Sequence, residues 1–117
     1  MEFEANKPIA VQLVDFCRRQ VLSGQWVAES RIESTKELAV QLAVNPRTVM
    51  KAYDQLAAEG VIYQRRGMGY FVAPDAAAKV REALRREFLE QDLPAFAAKM
   101  RLAGLTPEEV GEMLKSL

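Results

Sequence analysis

Ser34 and Asn45 each open a helix, and the space between them leaves room only for a short helix and a tight turn. In "STKELAVQLAV", Ser34 and Glu37 stand in the Ser-x-x-Glu arrangement. There the hydroxyl accepts from the third helical N–H and the carboxylate reaches back to the cap's own N–H. Leu38, Ala39 and Leu42 follow on one side. Ala43 and Val44 are left for the turn, and Asn45 caps a second helix that starts at Pro46, where a missing N–H costs nothing. At 100° per residue Val49, Ala52, Tyr53 and Leu56 form its buried side, and Gly60 ends it.

The flanks complete the pattern. Upstream, "KPIAVQLVDFCRRQVLSG" reads as a helix with Pro8 in its first turn, an apolar stripe of Ile9, Leu13, Phe16, Cys17 and Val21, and a stop at Gly24. "QWVAESRIE" is a connection with an extended piece around Trp26 and Ile32. Downstream, "VIYQRRGMGYFV" is two short β-prone runs around a three-residue turn, Gly67 to Gly69, hence a hairpin. Helix, helix, turn, helix, hairpin is a winged helix-turn-helix, assigned to residues 1–74. The fold class is mainly α with one small β-hairpin.

Residues 75–117 form a short helical region. Val80, Leu84 and Phe88 share a side of its first helix, and Pro94 is read as a break before "AFAAKMRLAG". Thr106 and Glu109 box the start of a last helix bearing Val110, Met113, Leu114 and Leu117.

Composition excludes several functions. The single Cys17 can form no internal disulfide and lies in an apolar pattern, and the chain has no His. No catalytic constellation, metal site or cofactor site is expected. No apolar run is long enough to span a membrane, and "MEFEANKPIA" has no signal-peptide pattern, so the expected compartment is the cytoplasm. Net charge is zero, but it is unevenly placed. Residues 31–72 carry six basic groups against four acidic ones.

That placement indicates a polyanion. Arg47 and Lys51, with Thr48 at the flank, lie opposite the buried side of the third helix, where they can read base edges in a major groove. Thr35 and Lys36 sit at the tip of the second helix, whose free N–H groups favour a phosphate. Arg65 and Arg66 bring charge to the hairpin tip, and Gly67 and Gly69 allow close backbone approach. The Gly-x-Gly pair is not a nucleotide-binding loop, because Val72 stands where the third glycine would be and no helix opens there.

Taken together, "PIAVQLVDFCRRQVLSG", "STKELAVQLAVNPRTVMKAYDQLAAEG" and "RRGMGYFV" resemble the GntR-type bacterial transcription regulators over roughly Pro8 to Val72. The resemblance implies an operator-binding winged helix. It aligns Lys36 with a phosphate-contacting cation, Asn45, Arg47, Thr48 and Lys51 with the recognition-helix motif, and Gly67 and Gly69 with the wing. Three departures stand out. "AESRIES" replaces a common Pro-Gly-Asp-x-Leu-Pro, and Lys36 replaces a usual Arg, keeping charge but losing the bidentate fork. Pro46 occupies a position where many relatives carry a base-contacting Arg. Asn45-Pro46 looks like the YtrA-type branch, and the short region after Pro74 agrees, since it is too small to enclose a metabolite pocket.

The expected partners are a double-stranded DNA operator and a second copy of the chain, met through the C-terminal helices. A small-molecule effector is left open. The rival reading is a winged helix used as a protein-interaction module without specific DNA binding.

Overall fold

The structure, a computed structural model describing residues 1–117, divides into two units, Met1–Glu82 and Ala83–Leu117. The first holds α1 (Ile9–Leu22), α2 (Thr35–Leu42), α3 (Pro46–Ala58), β1 (Ile62–Arg65), β2 (Gly69–Val72) and the opening turns of α4 (Ala76–Glu87). Its core is built from α1 and α2 packed on α3, closed by the hairpin. Leu13, Cys17, Val49, Tyr53, Leu56, Val61, Ile62, Val72 and Val80 have almost no exposed surface.

All four apolar residues expected on the inner side of α3 are buried, because their spacing puts them on one face. Helix α1 departs from expectation. Its inner face is Gln12, Leu13, Val14, Cys17, Arg18 and Val21, while Ile9 is exposed and Phe16 is half-buried. Pro8 is the N-cap rather than a first-turn residue, which leaves Ile9 at the rim as the first helical position. The two polar residues are buried because each is satisfied. Gln12 accepts from the Glu4 N–H at 2.8 Å and donates to the carbonyls of Glu4 and Lys7 at 2.9 Å, pinning the N-terminal arm. Arg18 donates to Glu59 at the end of α3. Cys17 is the small buried hydrophobe expected. Burial, followed by the neighbouring Glu33 charge, pushes its thiol up to about 12, far from nucleophilic use.

The turn between α2 and α3 is tight because Ala43 takes a left-handed conformation, φ 55°, while its N–H and that of Val44 close back on Val40 and Ala39. The hairpin pairs Ile62 with Val72, Tyr63 with Phe71, Gln64 with Tyr70 and Arg65 with Gly69. Its loop is therefore Arg66 to Met68, one residue earlier than the expected Gly67 to Gly69, because Gly69 pairs in register as the first residue of β2. The extended piece expected near Ile32 runs along β2. The Glu29 and Ile32 N–H groups donate to the carbonyls of Val72 and Tyr70, and Val72 donates to Ser30. Helix α4 begins as part of this core, since Ala76 and Val80 are buried in it, and the division between units falls within α4 rather than after Pro74.

The second unit contains the end of α4, a π-helical turn (Phe88–Asp92), α5 (Leu93–Leu102) and α6 (Pro107–Lys115). Pro94 does not break the chain as expected. The Leu93 N–H bonds the Phe88 carbonyl five residues back, and this wider turn admits the proline ring while helical backbone continues into α5. Thr106 and Glu109 form the anticipated capping box. Leu84, Phe88, Leu89, Leu93, Phe96, Met113 and Leu114 are exposed. An open apolar groove of about 370 Å³ is lined by Phe96, Met100, Val110 and Leu114 among others. No helix is long and apolar enough to cross a membrane.

Candidate nucleic-acid interface

The tip of α2 is held by its capping box. Ser34 Oγ accepts from the Glu37 N–H at 3.0 Å, and Glu37 Oε1 accepts from the Ser34 N–H at 2.9 Å. The Ser34 N–H, then the Ser34 hydroxyl, then the Arg31 charge hold the Glu37 carboxyl below its ordinary value. A depressed carboxylate contributes stability that is complete above its unfolded pKa and lost as pH falls through the folded one. Following the Glu37 carboxyl carbon and the Ser34 amide by NMR should therefore show one shared transition, below the ordinary glutamate range. Thr35, half-buried, and Lys36, exposed, sit on this tip.

At the start of α3, Asn45 Oδ1 accepts from the Arg47 N–H at 2.8 Å. Asn45 thus caps the helix, and its side-chain carbonyl is already engaged. Arg47 and Lys51 are exposed on the side opposite Val49, Ala52, Tyr53 and Leu56, and Thr48 is half-buried at the flank.

The wing brings two of the expected residues to the surface and holds one back. Arg66 and Gly67 are exposed in the loop, and Gly67 and Gly69 have φ of 73° and 94°, a region that suits glycine. Arg65 is different. Its Nη2 donates to Glu29 Oε2 at 3.2 Å and to the Tyr63 hydroxyl at 2.8 Å, and its guanidinium lies 4.1 Å from the Phe71 ring centre. Strand alternation explains this, because Tyr63 and Arg65 share a face with Phe71, the cross-strand partner of Tyr63. Lys36, Arg47, Lys51 and Arg66 take part in none of the protein's ion pairs, and their charges face outward.

Three contacts bring these pieces together, and local spacing reveals none of them. The Tyr53 hydroxyl of α3 donates to the Glu33 carbonyl just before α2, at 2.7 Å. The Tyr53 ring meets Tyr70 of β2 edge-on, with centres 4.9 Å apart. Arg31 links the loop carbonyl of Met68 to Glu37. The loop of the wing and the tip of α2 therefore lie within reach of one guanidinium.

A recognition helix with free cations on its outer face, a capped helix tip beside it and a glycine-bearing wing tied to both define a winged helix-turn-helix DNA-binding transcription regulator. Residues 9–72 match the family described as bacterial regulatory proteins, gntR family. The HTH-type transcriptional regulator YhcF of Bacillus subtilis (strain 168) is 32% identical over 98% of this chain and 93% of that protein. The HTH-type transcriptional repressor YtrA of the same organism is 27% identical over 97% of this chain and 86% of its own length. Among solved structures, a GntR family transcriptional regulator from Listeria monocytogenes superposes with a TM-score of 0.76 at 30% identity, covering 98% of this chain and 99% of that one. The DNA-binding domain of AraR, in complex with operator ORR3, superposes with a TM-score of 0.56 at 27% identity over 62% of this chain and 88% of that one. The chain belongs to the GntR family, and its YtrA-type character is matched along nearly its whole length.

Proposed function

We propose that the chain is a cytoplasmic repressor that binds a two-fold-symmetric operator as a homodimer. The winged helix of the first unit, Met1–Glu82, meets DNA, and the helices of the second unit, Ala83–Leu117, join two copies. The observation that carries this reading is the set of exposed, unpaired cations, Arg47 and Lys51 on α3, Lys36 on the tip of α2 and Arg66 on the wing. Arg47, Lys51 and Thr48 read base edges. Thr35, Lys36, Arg66 and the backbone at Gly67 and Gly69 meet phosphates. Asn45 acts through the cap that aims Arg47, and Arg65 acts by bracing the wing. Pairing through the second unit gives its exposed Phe88, Leu93, Phe96 and Leu114 a partner and fixes the spacing of half-sites. The operator-bound AraR domain and the repressor name of YtrA support the same assignment.

Selecting bound duplexes from a random pool tests the proposal, and the expected product is an inverted repeat. On that operator Arg47→Ala should lose about 1–3 kcal/mol of discrimination at one base pair. Lys36→Ala should weaken operator and random duplex alike and reduce the salt slope by about one. Equal losses on both duplexes for both variants would overturn the division of labour. Absence of any gel shift at low salt would favour the protein-interaction module, a role consistent with zero net charge.

A further inference from the structure

Arg31 stands in the connection before α2, and no role for it is legible from local spacing. Its Nε donates to the Met68 carbonyl in the wing loop at 3.2 Å. Its Nη2 donates to Glu37 Oε1 at 3.3 Å. Glu37 is the third residue of α2 and the acidic half of its capping box. The guanidinium also lies against Gly69, where a Cβ would come within 3.2 Å of Nε. Its backbone bridges to Phe71 of β2. One residue thus touches the loop of the wing, its second strand and the tip of α2. Half of the side chain's surface is exposed (51%), so its contribution to the core is small.

We propose that Arg31 is a positioning residue that sets the wing against the tip of α2, so that Arg66 and the free N–H groups of α2 engage one duplex together. This rests on the reading of the wing as a DNA contact. The two hydrogen bonds leave from two different nitrogens, Nε and Nη2, of one rigid planar fork, whereas an ammonium donates from a single nitrogen on a flexible stem. A hairpin whose loop is anchored at one backbone carbonyl needs both ends of that fork. The rival role for Arg31 is direct phosphate contact, for which charge alone suffices and Lys is an adequate replacement.

A double-mutant cycle separates the two. With the selected operator, Arg66→Ala should weaken binding by about fivefold in the native background. In an Arg31→Ala background the same change should cost under about twofold, since a wing that has lost its anchor no longer delivers Arg66. Arg31→Lys should resemble Arg31→Ala. In the free protein, Arg31→Ala and Arg31→Lys should both raise the mobility of the Gly67 and Met68 amides in NMR relaxation, with α3 unchanged. Multiplicative effects of Arg31→Ala and Arg66→Ala, or full affinity in Arg31→Lys, would overturn the positioning role in favour of direct contact. Unchanged loop relaxation would overturn the anchor itself. Because that measurement needs no DNA, it still decides the matter if Arg66→Ala leaves binding intact, a result that would instead sink the wing reading.

Discussion

Arg18→Ala should lower the free energy of unfolding by about 3–5 kcal/mol, the range for breaking a buried ion pair from one side. Arg18 has 3% of its side chain exposed and Glu59 has 12%, and their closest approach is 2.7 Å. Arg18 Nε and Nη2 address the two carboxylate oxygens of Glu59, and Gln55 Nε2 donates to Oε2 as well, at 3.0 Å. Glu59 is the C-cap of α3. Without the guanidinium, a carboxylate is left in a place water reaches poorly, and the end of the recognition helix is freed from α1. Removing both charges tests the cause. Arg18→Met with Glu59→Met should recover part of the loss, because the Glu59 carboxylate is then no longer left buried, while Asp15, 3.7 Å from Arg18 and 43% exposed, turns to solvent. Urea denaturation of the three proteins measures this. A loss below about 1 kcal/mol for Arg18→Ala would mean that Glu59 simply turns to solvent, and the pair would rank with surface pairs.

What was legible in the sequence, and what was not, divides by range. Caps are local, and so is the periodicity of α3. Ser34 with Glu37, Asn45 with Pro46, and Thr106 with Glu109 all open helices as their chemistry requires, and the inner face of α3 is Val49, Ala52, Tyr53 and Leu56. The contacts that arrange the proposed DNA-facing surface connect distant residues. Arg18 meets Glu59 41 positions away, Arg31 meets Met68 37 positions away, and Arg65 meets Glu29 36 positions away. An arginine on a helical wheel reads as solvent-facing until its partner is known, which is why spacing alone puts Ile9 rather than Arg18 on the inner face of α1. The paired arginines of the wing show the same limit. Arg65 and Arg66 are equivalent as sequence, yet strand alternation puts Arg65 beside Phe71 and under the charge of Glu29, whereas Arg66 enters the loop. Pro94 failed as a break for a different reason. A proline forbids one hydrogen bond, and the π turn before it supplies a backbone path in which that bond is not needed.

Tyr53 is where the helix-turn-helix and the wing share one side chain, and its two truncations should separate the hydroxyl from the ring. Tyr53→Phe should cost about 1–3 kcal/mol, because the part-buried Glu33 carbonyl loses its 2.7 Å donor. Tyr53→Ala should cost about 3–5 kcal/mol, since the ring is completely buried and its loss leaves a cavity. Burial, followed by Cys17 and Glu33, pushes the phenol far above its ordinary value. With the folded pKa raised, the unfolded chain ionises first, so this contribution is whole below the ordinary phenol value and falls away as pH rises past it. Tyr53→Phe should therefore remove the part of the alkaline loss that begins near the ordinary phenol value, leaving the part due to Cys17, which begins at the lower thiol value, while Tyr53→Ala does so on a much less stable protein. The functional consequence follows from the rings. Tyr53 packs edge-on against Tyr70 of β2 at 4.9 Å and against Trp26 at 6.2 Å, so removing it loosens the wing against α3, the proposed recognition helix. Tyr53→Ala should then bind operator more weakly although every DNA-facing side chain is intact, whereas Tyr53→Phe keeps the ring contact and should bind as the native protein does. Both are to be measured where circular dichroism shows the variants folded. Native affinity in a folded Tyr53→Ala protein would show that the strand pairing to Glu29 and Ile32 and the Arg31 contacts hold the wing without the Tyr53 ring.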